Sequence, residues 1–234
     1  MRHWLALLFC TLATTTAASP IDPNTLSIAH QTFTLENGLR VVVHEDRSVP
    51  LVAVNLWYHV GSRNERPGRT GFAHLFEHFF FNGSENHPHG FREAMDDLGA
   101  NNRNGTTSVD RTNFFEDVPT SALERTLYLE ADRMGFLAGN LSPEMLERER
   151  GVVKNEKRQG ENQPYGRVFP RIFEAMYPYS HPYSWTPIGS MDDLNAATLS
   201  DINDWYSAWY GPNNAVLALA GDINVDEAKI LVDK

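Results

Sequence analysis

Two histidines four residues apart, His74 and His78, with Glu77 directly before the second, give this chain its most chemical segment. On a helix the three fall within an arc of about 100°. Phe72, Ala73, Leu75, Phe76, Phe79 and Phe80 occupy the rest of the circumference. A helix that is apolar nearly all round is a buried helix, so its polar arc has to find partners inside the protein. Unpaired carboxylate and imidazole groups are costly there, and a metal ion is one partner that serves all three.

Structural zinc takes four protein ligands, whereas catalytic zinc takes three and leaves a position for water. Two imidazoles therefore call for one more ligand, and a carboxylate suits. A long helix is expected over residues 143–163, with Ser142 as N-cap and acids in its first turn. Its inward stripe reads Met145, Glu149, Val152, Glu156, with Glu147, Arg148, Arg150 and Lys154 off the stripe. Glu149 and Glu156 thus stand where apolar residues belong. They share a face but lie about 10 Å apart along the axis, too far for both to bind one ion directly. One is expected to be the ligand and the other to orient a histidine or the water beside it.

The order His-x-x-Glu-His is the inverted form of a zinc-peptidase signature. Followed much later by Glu149-Arg150-Gly151-Val152-Val153-Lys154-Asn155-Glu156, it resembles the insulinase/pitrilysin family of zinc metallopeptidases. The likeness extends through Asn37-Gly38-Leu39, Gly61-Ser62 with Glu65, Gly71-Phe72-Ala73-His74, Asn104-Gly105-Thr106-Thr107 and Gly221-Asp222-Ile223. It covers residues 30–234. The resemblance implies that His74, His78 and Glu156 bind zinc, that Glu77 is the catalytic base and that Glu149 is a supporting acid.

Zinc in such a setting lowers the pKa of its water toward about 7. Glu77, about 60° around the helix from His74, is placed to accept that proton and pass it to a leaving amine. The segments Asn101–Ser108 and Arg111–Val118 read as extended. In the family a segment like the first, including the residue matching Asn104, holds extended peptide beside the zinc. Small residues at Gly105, Thr106 and Thr107 are expected to let a peptide backbone add itself as a strand. Gly105 and Phe114 stand where relatives often carry Ala and Tyr, a difference expected only to tune the site.

Residues 1–18 read as a secretory signal peptide: Arg2 and His3, an apolar run from Trp4 to Leu12, then small residues with cleavage after Ala18. Residues 19–29 form a Pro-containing lead-in. The only cysteine, Cys10, lies in the signal's apolar run, so the mature chain has neither disulfide nor reactive thiol. Export without disulfides suits a bacterial periplasm. Asn82, Asn104 and Asn140 begin glycosylation sequons, but a glycan on Asn104 would block the expected substrate strand. The net charge of −10 and the lack of any basic block argue against nucleic-acid or anionic-membrane partners, and no stretch is apolar and long enough to span a bilayer.

Strands are expected at 31–36, 40–46 and 50–60, with Asn37-Gly38 turning between the first two. The histidine helix follows with Thr70 as N-cap, then a helix near 91–98 and the two extended segments. Helices near 120–136, 143–162, 165–177 and 199–210, a strand at 213–221 and a helix from Val225 complete the layout. His87, His89 and His181 are read as structural, and Trp185, Trp205, Tyr206 and Trp209 as packing. The expectation is an α+β domain with a mixed, mainly antiparallel sheet packed against several helices, half of a clamshell. No helix stop precedes Lys234, so residues 30–234 read as a catalytic domain truncated at its C-terminus. The resemblance implies a homologous metal-free domain that closes over the peptide. Two functions compete: a zinc endopeptidase, or a non-catalytic or weakly active substrate-binding subunit that needs a partner domain. A structural zinc protein would want a fourth protein ligand, and no cysteine of the mature chain or further histidine offers one. The intact His74, Glu77, His78 and Glu156 favour the first.

Overall fold

The computed structural model describes residues 27–234; the expected signal segment and residues 19–26 of the lead-in lie outside them. Strands β1 (Gln31–Thr34), β2 (Arg40–Glu45) and β3 (Leu51–Tyr58) come first. The turn between β1 and β2 falls at Asn37-Gly38, where Asn37 Oδ1 accepts from the Leu39 amide at 3.0 Å. Helix α1 (Phe72–Phe79) and helix α2 (Phe91–Asp97) precede β4 (Asn101–Thr107) and β5 (Thr112–Pro119). Then come α3 (Leu123–Phe136), α4 (Pro143–Asn162), α5 (Val168–Met176), α6 (Met191–Ala196) and α7 (Leu199–Trp209). Strand β6 (Ala215–Gly221) and helix α8 (Val225–Val232) end the layout.

The six strands form one sheet in the order β1-β2-β6-β3-β5-β4. All neighbours are antiparallel except β2 and β6, which run parallel with Val41 opposite Leu217 and Val43 opposite Leu219. The expected mixed, mainly antiparallel α+β architecture is therefore correct. Strand residues alternate between faces. Val41, Val43, Val52, Val54, Leu56, Tyr58, Phe114, Val118, Leu217 and Leu219 are buried, and Leu51 and Trp57 on the opposite face are exposed. Helices α1, α3 and α8 pack on the sheet. In that core Phe76 of α1 stacks on Tyr206 and Tyr210, with ring centroids 6.2 and 5.0 Å apart.

Several boundaries differ from expectation. Strand β5 runs on to Pro119, so α3 starts at Leu123 after a single tight turn. Helix α5 starts at Val168, and the six-residue α6 had no counterpart in the sequence reading. Thr70 does not cap α1: its amide and hydroxyl both go to Asp193 Oδ2, at 2.9 and 2.6 Å. Gly71 takes the N-cap position at φ 91°, a left-handed conformation that favours glycine. A Cβ there would meet Ile188 O and Leu194 Cδ2 at 3.0 Å.

Candidate active site

Eight residues are too few to hold a helix in water, so α1 depends on its surroundings. Phe72, Ala73, Leu75, Phe76 and Phe79 are buried. At its N-terminus the buried carboxyl of Glu65 accepts from the Ala73 amide at 2.9 Å. At its C-terminus the fully buried Arg133 donates to Phe80 O at 3.3 Å, and its guanidinium lies 3.6 Å from the Phe91 ring centre. Glu130 neutralises Arg133 through a direct ion pair. The Arg133 cation at the C-terminus complements the helix dipole, and the Glu65 carboxyl satisfies an amide that the first turn of the helix leaves without a partner.

That anchoring turns His74 and His78 toward α4 and Glu77 toward β4. The capping of α4 follows expectation, with Ser142 accepting from the Met145 amide at 3.2 Å. Its inward stripe does not. Leu146, Glu149, Arg150 and Val153 are buried, and Val152 is 40% exposed. Arg150, off the expected stripe, is buried, and its guanidinium is satisfied by the Leu194 and Ala197 carbonyls at the end of α6.

Glu156 reaches both imidazoles from the open side of the site. Its Oε2 lies 3.7 Å from His74 Nε2 and 3.4 Å from His78 Nε2. One ligand atom from each of the three residues lies within 4.8 Å of the others. Two donors each about 2.1 Å from one tetrahedral zinc stand about 3.4 Å apart, so these residues fit one ion. Among the described residues, no other cluster of His, Cys, Asp or Glu meets the same condition. Glu149 lies behind His78: its Oε2 is 3.5 Å from Nδ1, while Oε1 accepts from Asn82 and Arg148 at 3.0 and 2.9 Å. Asn82 also donates to His78 O at 3.1 Å, joining the end of α1 to α4. Sequence reasoning missed Asn82; its position four residues past His78 was the available signal.

Burial and the neighbouring His78 hold the His74 imidazole down at about 4, leaving it neutral. Burial pulls His78 the same way, but the Glu149 hydrogen bond and the Glu156, Glu149 and Glu77 charges outweigh it and leave His78 raised. Burial raises Glu77 above the usual carboxylate range, against the pull of the Thr107 hydrogen bond and of His78. Glu149 would be raised by burial, yet its bonds to His78, Arg148 and Asn82 bring it below that range. Burial pushes Glu65 up to about 8 despite backbone amides from Ala73, Gly71 and Phe72.

Strand β4 is an edge of the sheet, with Asn104 exposed on it. Gly105 is buried against α1, and Thr107 donates to Glu77 Oε2 at 2.6 Å. Thr106, on the opposite face, donates to Asn113 Oδ1 at 2.6 Å. Of the aromatic residues read as packing, Tyr206 stacks on Phe76, Trp205 tilts against Phe72 and Trp209, and Trp185 donates to Ser62 O. His181 accepts from the Tyr183 amide within its own loop.

Two imidazoles and a carboxylate, with a further carboxylate left outside the set, are what a metal-dependent hydrolase uses. Comparison with known proteins narrows that class. The profile described as insulinase (peptidase family M16) matches residues 40–183, more than half of the chain, and the chain belongs to that family. A second profile, the peptidase M16 inactive domain, matches residues 196–234. The zinc protease PqqE of Helicobacter pylori is 39% identical over 197 residues, covering 83% of this chain and 44% of the relative. An uncharacterised zinc protease of Mycobacterium leprae is 31% identical, covering 85% of this chain and 44% of the relative. A solved Helicobacter pylori protease superimposes with a TM-score of 0.82 at 37% identity, covering 88% of this chain and 49% of that one. The first half of the periplasmic protease PqqL from Escherichia coli gives 0.77 at 27% identity, covering 87% of this chain and 45% of that one. The chain thus spans somewhat under half the length of the curated relatives it matches.

Proposed function

We propose that the protein is a zinc-dependent endopeptidase acting on extended peptides or small unfolded proteins. The observation that carries this reading is the approach of His74, His78 and Glu156 ligand atoms to within 4.8 Å of one another, with Glu77 left outside the set. These three residues would hold the ion. When bound, zinc would supply Lewis acidity, lowering the pKa of a water toward about 7 and polarising a carbonyl. Glu77 takes the proton from water and returns it to the leaving amine. Its burial-raised pKa makes it a better acceptor near neutral pH than an exposed carboxylate. Glu149 orients His78 through Nδ1. The outer edge of β4, unpaired among the described residues, takes the peptide as an added strand along Asn104, Gly105, Thr106 and Thr107.

The test is metal analysis of the purified chain alongside cleavage of an unstructured peptide. The expected result is one zinc per chain and cleavage that a chelator stops and added zinc restores. Metal-free protein, or cleavage indifferent to chelation, overturns the reading.

A second reading has support in the coverage of relatives. The chain spans 44% of the length of its Helicobacter pylori and Mycobacterium leprae relatives. On this reading residues 30–234 bind zinc and peptide but turn over well only beside a homologous metal-free domain. A rise in kcat on adding such a domain favours it; full turnover by the chain alone excludes it. We also propose an exported, periplasmic setting with residues 1–18 as the signal. It is supported by the pattern of those residues and by the periplasmic PqqL relative. No described helix is long and apolar enough to cross a membrane. Cell fractionation that finds the protein in the cytoplasm overturns this setting.

A further inference from the structure

The carboxylate of Glu77 has to be aimed as well as present, and α1 alone does not aim it. A glutamate has three rotatable bonds, and this one projects from the helix toward β4. Among the described residues, the one side-chain hydrogen bond it makes comes from Thr107, whose Oγ1 donates to Oε2 at 2.6 Å. A hydroxyl bound to an ionised carboxylate is among the stronger hydrogen bonds available to a side chain.

Gly105 lies two residues earlier on β4 and so shares the Thr107 face. A Cβ at Gly105 would stand 3.0 Å from Glu77 Cγ and 3.0 Å from Phe114 Cδ1. Position 105 therefore leaves a slot for the glutamate's methylenes, and position 107 supplies a tether for its carboxylate. The strand itself is held in place from its other face. Arg111 donates to Thr106 O and to Asn113 Oδ1, each at 2.8 Å, while Thr106 bonds the same Asn113 oxygen.

We propose that Thr107 is a positioning residue for Glu77, holding Oε2 so that Oε1 is left for the proton transfer, and that Gly105 keeps the slot open. Thr107 then serves the base through its hydroxyl, while substrate is left to the outer edge of the same strand. The proposal rests on the peptidase reading above.

The test compares Thr107→Val, which keeps the shape and removes the hydroxyl, with Thr107→Ser, which keeps the hydroxyl. Both are made in the full chain and assayed on the same unstructured peptide. Thr107→Val is expected to lower kcat about 10–100-fold, the usual cost of losing a group that orients an active residue. Zinc content and thermal midpoint should stay unchanged and KM within about twofold of wild type, and Thr107→Ser should recover most of the rate. A crystal structure of metal-free Thr107→Val should show the Glu77 carboxylate displaced. An unmoved Glu77, a Thr107→Val enzyme at wild-type kcat, or a Thr107→Ser enzyme as slow as Thr107→Val each overturns the positioning role and leaves the peptidase reading standing. Wild type that binds zinc and cleaves nothing, both alone and beside a homologous metal-free domain, overturns both.

Discussion

Helices α1 and α5 are nearly equal in length and both gather their apolar side chains, yet the protein treats them in opposite ways. α1 buries five of its eight residues, and α5 buries none of its nine. Phe76 on α1 is fully enclosed, whereas Phe169 on α5 is 71% exposed. An apolar pattern thus accounts for helix formation in both and for burial in only one. The difference lies in what meets the helix. α1 is stacked upon by Tyr206 and Tyr210 and held at its two ends by Glu65 and Arg133. A site that must place two imidazoles to within fractions of an ångström needs such a support, and α5 has none among the described residues.

The strongest way to break this contrast is to show that α1 carries no chemistry. Glu77→Gln keeps the shape of the side chain and removes its basicity, so cleavage should fall about 10²–10⁴-fold with zinc retained. Turnover near wild type would remove Glu77 from the mechanism. Next in size is the contrast between the two acids of α4. Glu156 faces the Nε2 atoms of both histidines and Glu149 faces only Nδ1 of His78. Glu149→Gln should weaken zinc affinity about 10–100-fold, and Glu156→Gln by more than that, read by titration with a competing chelator. Equal losses, or the reverse order, would place the third ligand elsewhere.

How much of this was legible beforehand depends on whether the cause was local. The turn at Asn37-Gly38, the first three strands and the Ser142 cap were readable, because each is set by residues within a few positions. So were His74, Glu77 and His78, which one helix turn brings together. The phase of α4 was not. Arg150 looked like a solvated charge, and only the fold shows the Leu194 and Ala197 carbonyls that make its burial tolerable. The cap of α1 was missed for a similar reason: Asp193, distant in sequence, engages Thr70. The parallel pairing of β2 with β6 and the Thr107 bond to Glu77 also join distant segments, and no periodicity announces them.

Two stability measurements sharpen the account of α1. Phe76→Ala empties a fully buried position packed against both Tyr206 and Tyr210 and should cost about 3–5 kcal/mol in urea unfolding. The second concerns Glu65. Its folded pKa of about 8 lies above the ordinary 4.5, so the folded state holds this proton more tightly than the unfolded chain does. The resulting contribution to stability is complete below about pH 4.5 and is lost as pH rises toward 8. Wild type should therefore lose stability relative to Glu65→Gln across that window, by at most about 1.4 kcal/mol per pH unit because one proton is involved. A constant difference between the two proteins from pH 4.5 to 8 would mean that Glu65 does not titrate there.

The smallest expected effect falls on α5 and decides whether the opening contrast holds in solution. Phe and Ser have similar helix propensities, so Phe169→Ser changes the apolar face with little cost to the helix itself. With the ring 71% exposed, little apolar contact is lost on replacing it. The change in unfolding free energy should stay within about 0.5 kcal/mol, as for other surface substitutions away from special features. Phe76→Ala in the same assay supplies the opposite extreme. A loss above about 1 kcal/mol for Phe169→Ser would mean that Phe169 is covered in solution, and the two helices would then differ in what covers them rather than in whether anything does.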